Sequence, residues 1–216
     1  MWGKVEQTIL WTVTYFPLVA IMVLRFISSN GFLNIEDYRV IVFDKAIWIN
    51  SMIIEVIFVL IILLISFALY KLTINYLLSG YEKNLKPGSE GKNFSIRKIN
   101  YLSVNDYSFF LLTLLLPIIS LDHSSIINLV ISIVIIICVI AIYVKTDSIS
   151  SCPLFFFSGR KIYKGIISQG TKEEETINPF LRKEVIIILK QENLTLNNQM
   201  RGGELVKNVY YLTSIK

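Results

Sequence analysis

Four apolar segments separated by polar ones set the pattern of this chain. They run over residues 9–27, 47–69, 108–121 and 126–144. Only two formal charges fall inside them, on Arg25 and Glu55. In hydrocarbon every backbone N–H and C=O must be bonded within the protein, so runs this long and this apolar predict helices rather than strands. The pattern therefore predicts an all-α membrane protein whose core is a four-helix transmembrane bundle.

The third segment is shorter than the others. Its 14 residues would reach about 21 Å as a helix, against a hydrocarbon core of about 30 Å. It either crosses a locally thinned bilayer or is re-entrant. We expect it to cross, because a re-entrant segment would move the basic C-terminal tail to the outer face. Pro117, near its outer end, is a candidate for a kink that responds to the bilayer.

Composition supports this assignment. The chain is 54% hydrophobic and 17% charged, with a mean hydropathy of +0.60, whereas soluble domains carry about a quarter charged residues. The net charge of +5 is best explained by basic segments beside a membrane, which face the cytoplasm and anionic headgroups. Cys138 and Cys152 form neither a disulfide framework nor a metal-binding spacing.

Basic residues are distributed unequally among the polar segments. Segment 70–107 holds six Lys and Arg residues and the tail after residue 144 holds 11, whereas the turn 122–125 holds none. Basic residues concentrate on the cytoplasmic side of membrane proteins. We therefore expect both termini and loop 70–107 to be cytoplasmic. Residues 1–144 form the predicted membrane domain, and residues 145–216 form a cytoplasmic tail domain.

Polar residues inside the segments are candidates for a sensing role. Glu55 is either a proton or cation site, or a carboxyl group that stays protonated or pairs with a neighbouring helix. Arg25 is its expected partner. Ser51 and Ser66 share a helical face with Glu55 and favour a helix-packing seam over a conduction path.

The tail is predicted to be a small β-rich domain. Runs of strand length, rich in β-branched and aromatic residues, cover 160–168, 183–190, 193–200 and 204–213. Arg201, followed by two glycines, indicates a hairpin turn. About 70 residues make a marginal core, so we expect a neighbouring subunit or a partner to complete the sheet. Candidates for contact with the membrane surface or a partner are Arg160, Lys161, Tyr163, Lys164 and Arg201.

Sequence motifs for catalysis and cofactor binding are missing from the chain. A nucleophile elbow, a Walker loop, a dinucleotide fingerprint and a His–carboxylate metal cluster are all lacking. His123, the only histidine, stands in a predicted outer turn. We expect a protein that is not an enzyme and that needs no cofactor or metal.

The order of parts resembles the KwaA family, the membrane subunit of the bacterial Kiwa anti-phage system. The resemblance lies in the four spans, in the short outer turn after Leu115–Leu121, in the stretch Pro153–Tyr163 and in the β-rich tail. It implies a non-enzymatic sensor in the bacterial inner membrane that forms a homo-oligomer, with a tetramer as the candidate state. It also implies a cytoplasmic KwaB-like partner, through which nucleic acid is reached only indirectly.

Together these observations predict that phage-induced membrane perturbation changes the helix packing and that the tail passes this change to the partner. Two alternatives remain. The first is a small oligomeric ion channel or membrane-depolarising effector with a path along Glu55. The second is a membrane anchor for an unrelated soluble enzyme.

Overall fold

The structure, a computed structural model, describes residues 1–32, 38–42, 45–85, 91–102, 105–119, 125–189 and 199–214. Its long helices are α1 (Lys4–Ser29), α2 (Ser51–Asn84), α3 (Asn105–Ile119) and α4 (Ile126–Lys145). The strands are β1 (Tyr38–Val42), β2 (Lys45–Ile49), β3 (Lys92–Tyr101), β4 (Lys161–Ser168), β5 (Arg182–Leu189), β6 (Gln199–Val206) and β7 (Val209–Ser214). Short elements are α5 (Leu154–Phe157), α6 (Lys172–Ile177) and the 3₁₀ turns Ile149–Ser151 and Pro179–Leu181. The predicted turn around His123 lies outside the described residues.

Three helices in the described part of the chain, α1, α2 and α4, are long and apolar enough to cross a membrane. The third predicted span forms α3, which has 15 residues and is too short for that criterion. The membrane-protein class is therefore confirmed in its coarse form, with three candidate spans instead of four. Crossing by α3 stays a prediction.

The predicted start of the second span, residue 47, is wrong, and the helix continues past the predicted end of the span, residue 69. Residues 45–49 pair with β1 as an antiparallel strand, so the helix begins only at Ser51. There the Asn50 side chain accepts a hydrogen bond from the Met52 amide at 3.1 Å and caps the first turn. The helix then continues to Asn84, because Ile74, Leu77 and Leu78 maintain a buried stripe after the apolar run has ended. The predicted loop 70–107 is thus partly helix and partly strand.

Aromatic and hydroxyl side chains join the helices. Trp11 of α1 is fully buried and stacks on Tyr143 of α4, with ring centroids 4.0 Å apart. The Tyr15 hydroxyl lies 3.0 Å from Thr113 of α3, which in turn lies 3.2 Å from the Tyr143 hydroxyl. The Tyr70 hydroxyl of α2 donates to the Thr14 carbonyl at 3.1 Å. These bonds tie all four helices together.

The strands β3 to β7 form a closed barrel in the order β3–β4–β5–β7–β6. All neighbours are antiparallel except β5 and β7, which run parallel. This connectivity is that of an OB-type barrel. The expectation that another subunit or a partner completes the sheet is corrected, because β3, from the predicted loop, closes the barrel within the chain. Along the chain, α3 and α4 come between the first two barrel strands, β3 and β4.

Gly165 of β4 allows the backbone of β3 to approach closely inside the barrel. A Cβ atom there would lie 2.5 Å from the Lys98 carbonyl oxygen and 2.7 Å from Ile187. The register of β3 against β4 also shifts between Ile96 and Lys98. Such irregularities bend a strand strongly and let one strand serve both halves of a small barrel. Accordingly β3 pairs with β6 through its first half and with β4 along the rest.

The predicted hairpin turn is misplaced. Arg201 and its two glycines lie inside β6, and the reversal comes later, at the two residues between β6 and β7. Asn208 takes the left-handed conformation there, with φ of 62°, which asparagine tolerates better than most residues. Part of the predicted strand 193–200 lies outside the described residues.

A buried carboxylate holds α6 on the barrel. Thr171 and Glu174 form a capping box at the start of α6, and Glu175 points inward with its side chain fully covered. Arg97 of β3 and Arg182 of β5 donate to its two oxygens at 2.7 and 2.8 Å. Burial raises the pKa of Glu175, but the bonds from Arg182, Arg97 and Ser168 outweigh this effect and lower the pKa to about 2.

We predict that Glu175→Gln lowers the free energy of unfolding of the barrel by roughly 3 kcal/mol, because the two arginines lose their shared carboxylate. The carboxylate stabilises the fold fully above the pKa of about 4.3 that it has in the unfolded chain. This contribution is lost as pH falls through the folded pKa of about 2. Thermal unfolding of the purified protein between these limits measures the effect. The matched control is Glu173→Gln on the exposed side of α6; equal unfolding of both variants would refute the role of Glu175.

Candidate functional site: the junction between helices and barrel

The barrel sits at one end of the helices, where three chain segments meet. The Trp2 amide donates to the Leu205 carbonyl of β6 at 2.6 Å. Lys4, at the start of α1, forms a 2.7 Å ion pair with Asp147 after α4. The Tyr81 hydroxyl, near the end of α2, donates to the Glu204 carbonyl at 3.0 Å. The N-terminus, the segment after residue 70 and the tail are predicted from their basic residues to share the cytoplasmic side. The structure brings these three segments together.

A polar cluster joins the last turns of α2 to the barrel. Arg160, only 4% exposed, donates to Glu82 at 3.2 Å and to the Asn75 side-chain oxygen at 3.4 Å. The Tyr211 hydroxyl of β7 donates to the same Glu82 oxygen at 2.6 Å. We call Asn75, Glu82, Arg160 and Tyr211 the junction cluster. It links one face of α2, over two helical turns, to the residue just before β4 and to β7.

Local structure explains how Arg160 reaches this place. The short helix α5 ends at Phe157, and two residues later Gly159 has a φ of 72°, a left-handed conformation that glycine adopts without strain. The Arg160 amide then donates back to the Phe155 carbonyl at 3.1 Å, as in a Schellman cap. Phe155 is fully buried and stacks on Trp2, with centroids 6.4 Å apart. The chain is therefore turned inward just before β4 begins.

Charge and burial make the junction cluster sensitive to change. The guanidinium of Arg160 is almost completely removed from water, and a buried charge is tolerated only when it is paired. The Glu82 carboxylate, which is 37% exposed, supplies the negative charge that pairs with this guanidinium. Burial, and then the bond to Glu82, raise the pKa of Tyr211 to about 12, so the hydroxyl remains a donor at neutral pH.

Beside the junction cluster lies a groove of about 540 Å³ between the chain start, the end of α2 and the barrel. Charges of both signs line it, from Glu6, Lys92, Lys183 and Glu204, next to the aromatic side chains of Trp2 and Tyr81. Within the described residues no three His, Cys, Asp or Glu side chains are grouped so as to hold a metal ion.

The structure corrects two predicted surface contacts. Arg160 is buried in the junction cluster, and Tyr163 is buried inside the barrel, 3% exposed. Neither side chain can lie against headgroups in this fold. Lys161 and Lys164 are exposed on β4, and Arg201 is partly buried in β6.

The predicted intramembrane residues are arranged differently from the expectation. Ser28, not Arg25, hydrogen bonds to the Glu55 carboxylate. Ser51 belongs to the cap of α2, where it donates to Asn50 at 3.1 Å, and Ser66 is buried and donates to the Ile62 carbonyl. The predicted seam is therefore buried at Ser66 but exposed at Glu55. Pro117 lies within α3.

Sequence reasoning missed the other members of the junction cluster. Asn75 and Glu82 stood in a segment assigned to a loop, and Tyr211 was only one residue of a predicted strand. The signal that could have found the first two was the apolar stripe Ile74, Leu77 and Leu78, whose helical spacing continues past the membrane segment.

Comparison with known proteins identifies one family. A family model described as "Anti-phage protein KwaA" matches residues 6–211. No curated protein and no solved structure matches the chain significantly.

We predict that Tyr211→Phe lowers the free energy of unfolding by about 1.5–3 kcal/mol, because the hydroxyl bonds a charged oxygen and is buried. A double-mutant cycle with Glu82→Gln measures the coupling, which should account for most of the loss. Tyr101→Phe, at a site that is 81% exposed, is the control. Additive effects of Tyr211→Phe and Glu82→Gln would contradict a direct bond between the two side chains.

Proposed function

Since this chain belongs to the KwaA family of anti-phage proteins, we propose that it acts in defence as a non-enzymatic sensor of membrane perturbation in the bacterial inner membrane. The observation that carries the proposal is the continuity of α2. Its first part presents an almost fully exposed apolar surface, and its last turns hold the junction cluster. A displacement of the helix in the bilayer would therefore move the barrel.

The length of α2 supports this role. Its 34 residues span about 51 Å, roughly 20 Å more than the hydrocarbon core of a bilayer. A change in bilayer thickness costs fractions of a kcal/mol per Å of mismatch, and such terms add up over several subunits. Tilting α2 to relieve mismatch would shift Glu82 relative to Arg160 and Tyr211.

The exposed side of α2 supports self-association. Only 6% of its most apolar window is buried within one copy of the chain. In a bilayer this surface faces lipid or the helices of another copy. We propose a homo-oligomer, with a tetramer as the candidate state, whose α2 helices lie near one another.

A cytoplasmic KwaB-like protein is the proposed receiver of the signal. The basic segments beside the spans support a cytoplasmic barrel and cytoplasmic termini. The groove next to the junction cluster, with charges of both signs, suits contact with a protein more than contact with a polyanion. In addition, Ile162 of β4 and Ile188 of β5 pack with the helices, which covers part of the barrel face that OB domains use for oligonucleotides. We therefore propose that nucleic acid is reached only through the partner.

The ion-channel alternative has less support. Glu55 stands only four residues, about 6 Å, after the start of α2, so it does not extend a polar path into the bilayer centre. The following residues up to Tyr70 carry no charge. Flux measurements on liposomes containing the protein would separate the two functions, since a sensor alone should conduct no ions.

We predict that Glu82→Gln and Tyr211→Phe abolish most phage protection in cells carrying the complete defence system, while the protein still inserts and folds. Both substitutions keep the side-chain shape and weaken the link between α2 and the barrel. Plating efficiency measures protection, and membrane fractionation with limited proteolysis measures insertion and folding. Glu173→Gln is the control. Full protection by both junction variants would argue against transmission through the junction cluster.

We also predict that Glu55→Gln and Pro117→Ala reduce protection without loss of membrane insertion, because each changes how the outer half of the bundle responds to the bilayer. The same plating assay and fractionation apply. Protection equal to that of the wild type in both variants would remove the sensing part of the proposal.

A further inference from the structure

The end of the bundle that lies away from the barrel contains a groove of about 450 Å³. It lies between the last two turns of α1 and the first three turns of α2. Leu24, Met52, Val56, Val59 and Leu60 form its apolar wall. Arg25, Ser28, Ser29 and Glu55 supply its polar groups. The groove is therefore amphipathic, with both signs of charge at one place.

The two charges in the groove are not matched to each other. Ser28 donates to one oxygen of Glu55. Within the described part of the chain, Glu55 makes no other hydrogen bond or ion pair. Arg25 makes neither with any described residue. Both side chains are exposed on the protein surface. A charged side chain on a spanning helix normally faces a partner or a polar region, because leaving it in hydrocarbon is costly.

The depth of the groove agrees with the headgroup region of a bilayer. Glu55 is in the second turn of α2, and Arg25 is four residues before Ser29, the last residue of α1. The apolar wall continues from these charges along α2, toward the expected position of acyl chains.

We infer that this groove binds a phospholipid with a primary ammonium headgroup, of the phosphatidylethanolamine type. The ammonium carries three N–H donors for Glu55, and the phosphate accepts from the Arg25 guanidinium. One acyl chain lies on Val56, Val59 and Leu60, which follow Glu55 along α2. A zwitterionic lipid satisfies both charges together. A choline headgroup has no N–H donor, and an anionic headgroup without an amine would place its phosphate beside an unmatched carboxylate.

This inference rests on the proposed membrane position of α1 and α2. Its test uses full-length protein in detergent micelles, to which dioleoyl phosphatidylethanolamine and dioleoyl phosphatidylcholine are added in equal amounts. Native mass spectrometry counts the bound lipids. The wild type should prefer the ethanolamine lipid by about tenfold, the value expected for one hydrogen bond to a charged group.

Two variants separate the roles of the charges. Glu55→Gln should remove the preference while phosphatidylcholine binding stays unchanged, and Arg25→Gln should weaken binding of both lipids. Arg25→Lys keeps the positive charge and should retain most of the binding. Glu173→Gln, far from the groove, should behave as the wild type. Circular dichroism confirms that each variant is folded.

Equal binding of the two lipids by the wild type would overturn the inference, as would an unchanged preference in Glu55→Gln. Binding of an anionic lipid, dioleoyl phosphatidylglycerol, in preference to both would overturn the assigned headgroup. Because these measurements use no phage, their failure is distinct from a failure of the sensor proposal, which the plating assay tests.

Discussion

The continuity of α2 is the constraint on which the rest of the structure depends. A hydrogen-bonded helix of 34 residues cannot fit within a hydrocarbon core of about 30 Å. Its last turns must leave the membrane, and the chain uses them as the surface on which the barrel is built. Leu77 and Leu78 pack there, Tyr81 contacts β6, and Glu82 receives Arg160 and Tyr211. The position of the barrel thus follows from the length of one helix.

Charge lies mostly toward the two ends of this helix, and residues 56–70 carry none. At the barrel end, Glu82 neutralises a buried guanidinium. At the other end, Glu55 stands beside Ser28 in a groove that also contains Arg25. Between them, the only cation is Lys71. Such a helix resists entering or leaving the bilayer, because either movement brings a charge into hydrocarbon. Tilting or rotating the helix would not bring a charge into hydrocarbon.

The sequence predicted the helices whose position follows directly from a long apolar run. The spans 9–27 and 126–144 fall within α1 and α4, and the family resemblance is confirmed by the match over residues 6–211. It failed where an element depends on distant partners. β3 lies in a polar segment and becomes a strand only because β4 and β6 pair with it from more than 60 residues away. Likewise, Arg160 was assigned to the membrane surface because it stands with Lys161 and Lys164 close after the fourth span. Its burial depends on Glu82, which the sequence placed in a loop.

The most direct measurement of the central claim is the distance between the two ends of α2. Pulsed electron paramagnetic resonance measures this distance between spin labels at Met52→Cys and Lys83→Cys. The native Cys138 and Cys152 are replaced by serine, and the labelled protein is diluted with unlabelled protein in nanodiscs. A continuous helix predicts one narrow distribution near about 47 Å for these 31 helical steps. A broad or much shorter distribution would mean that the helix ends with the apolar run, and that the membrane and the barrel are not rigidly linked.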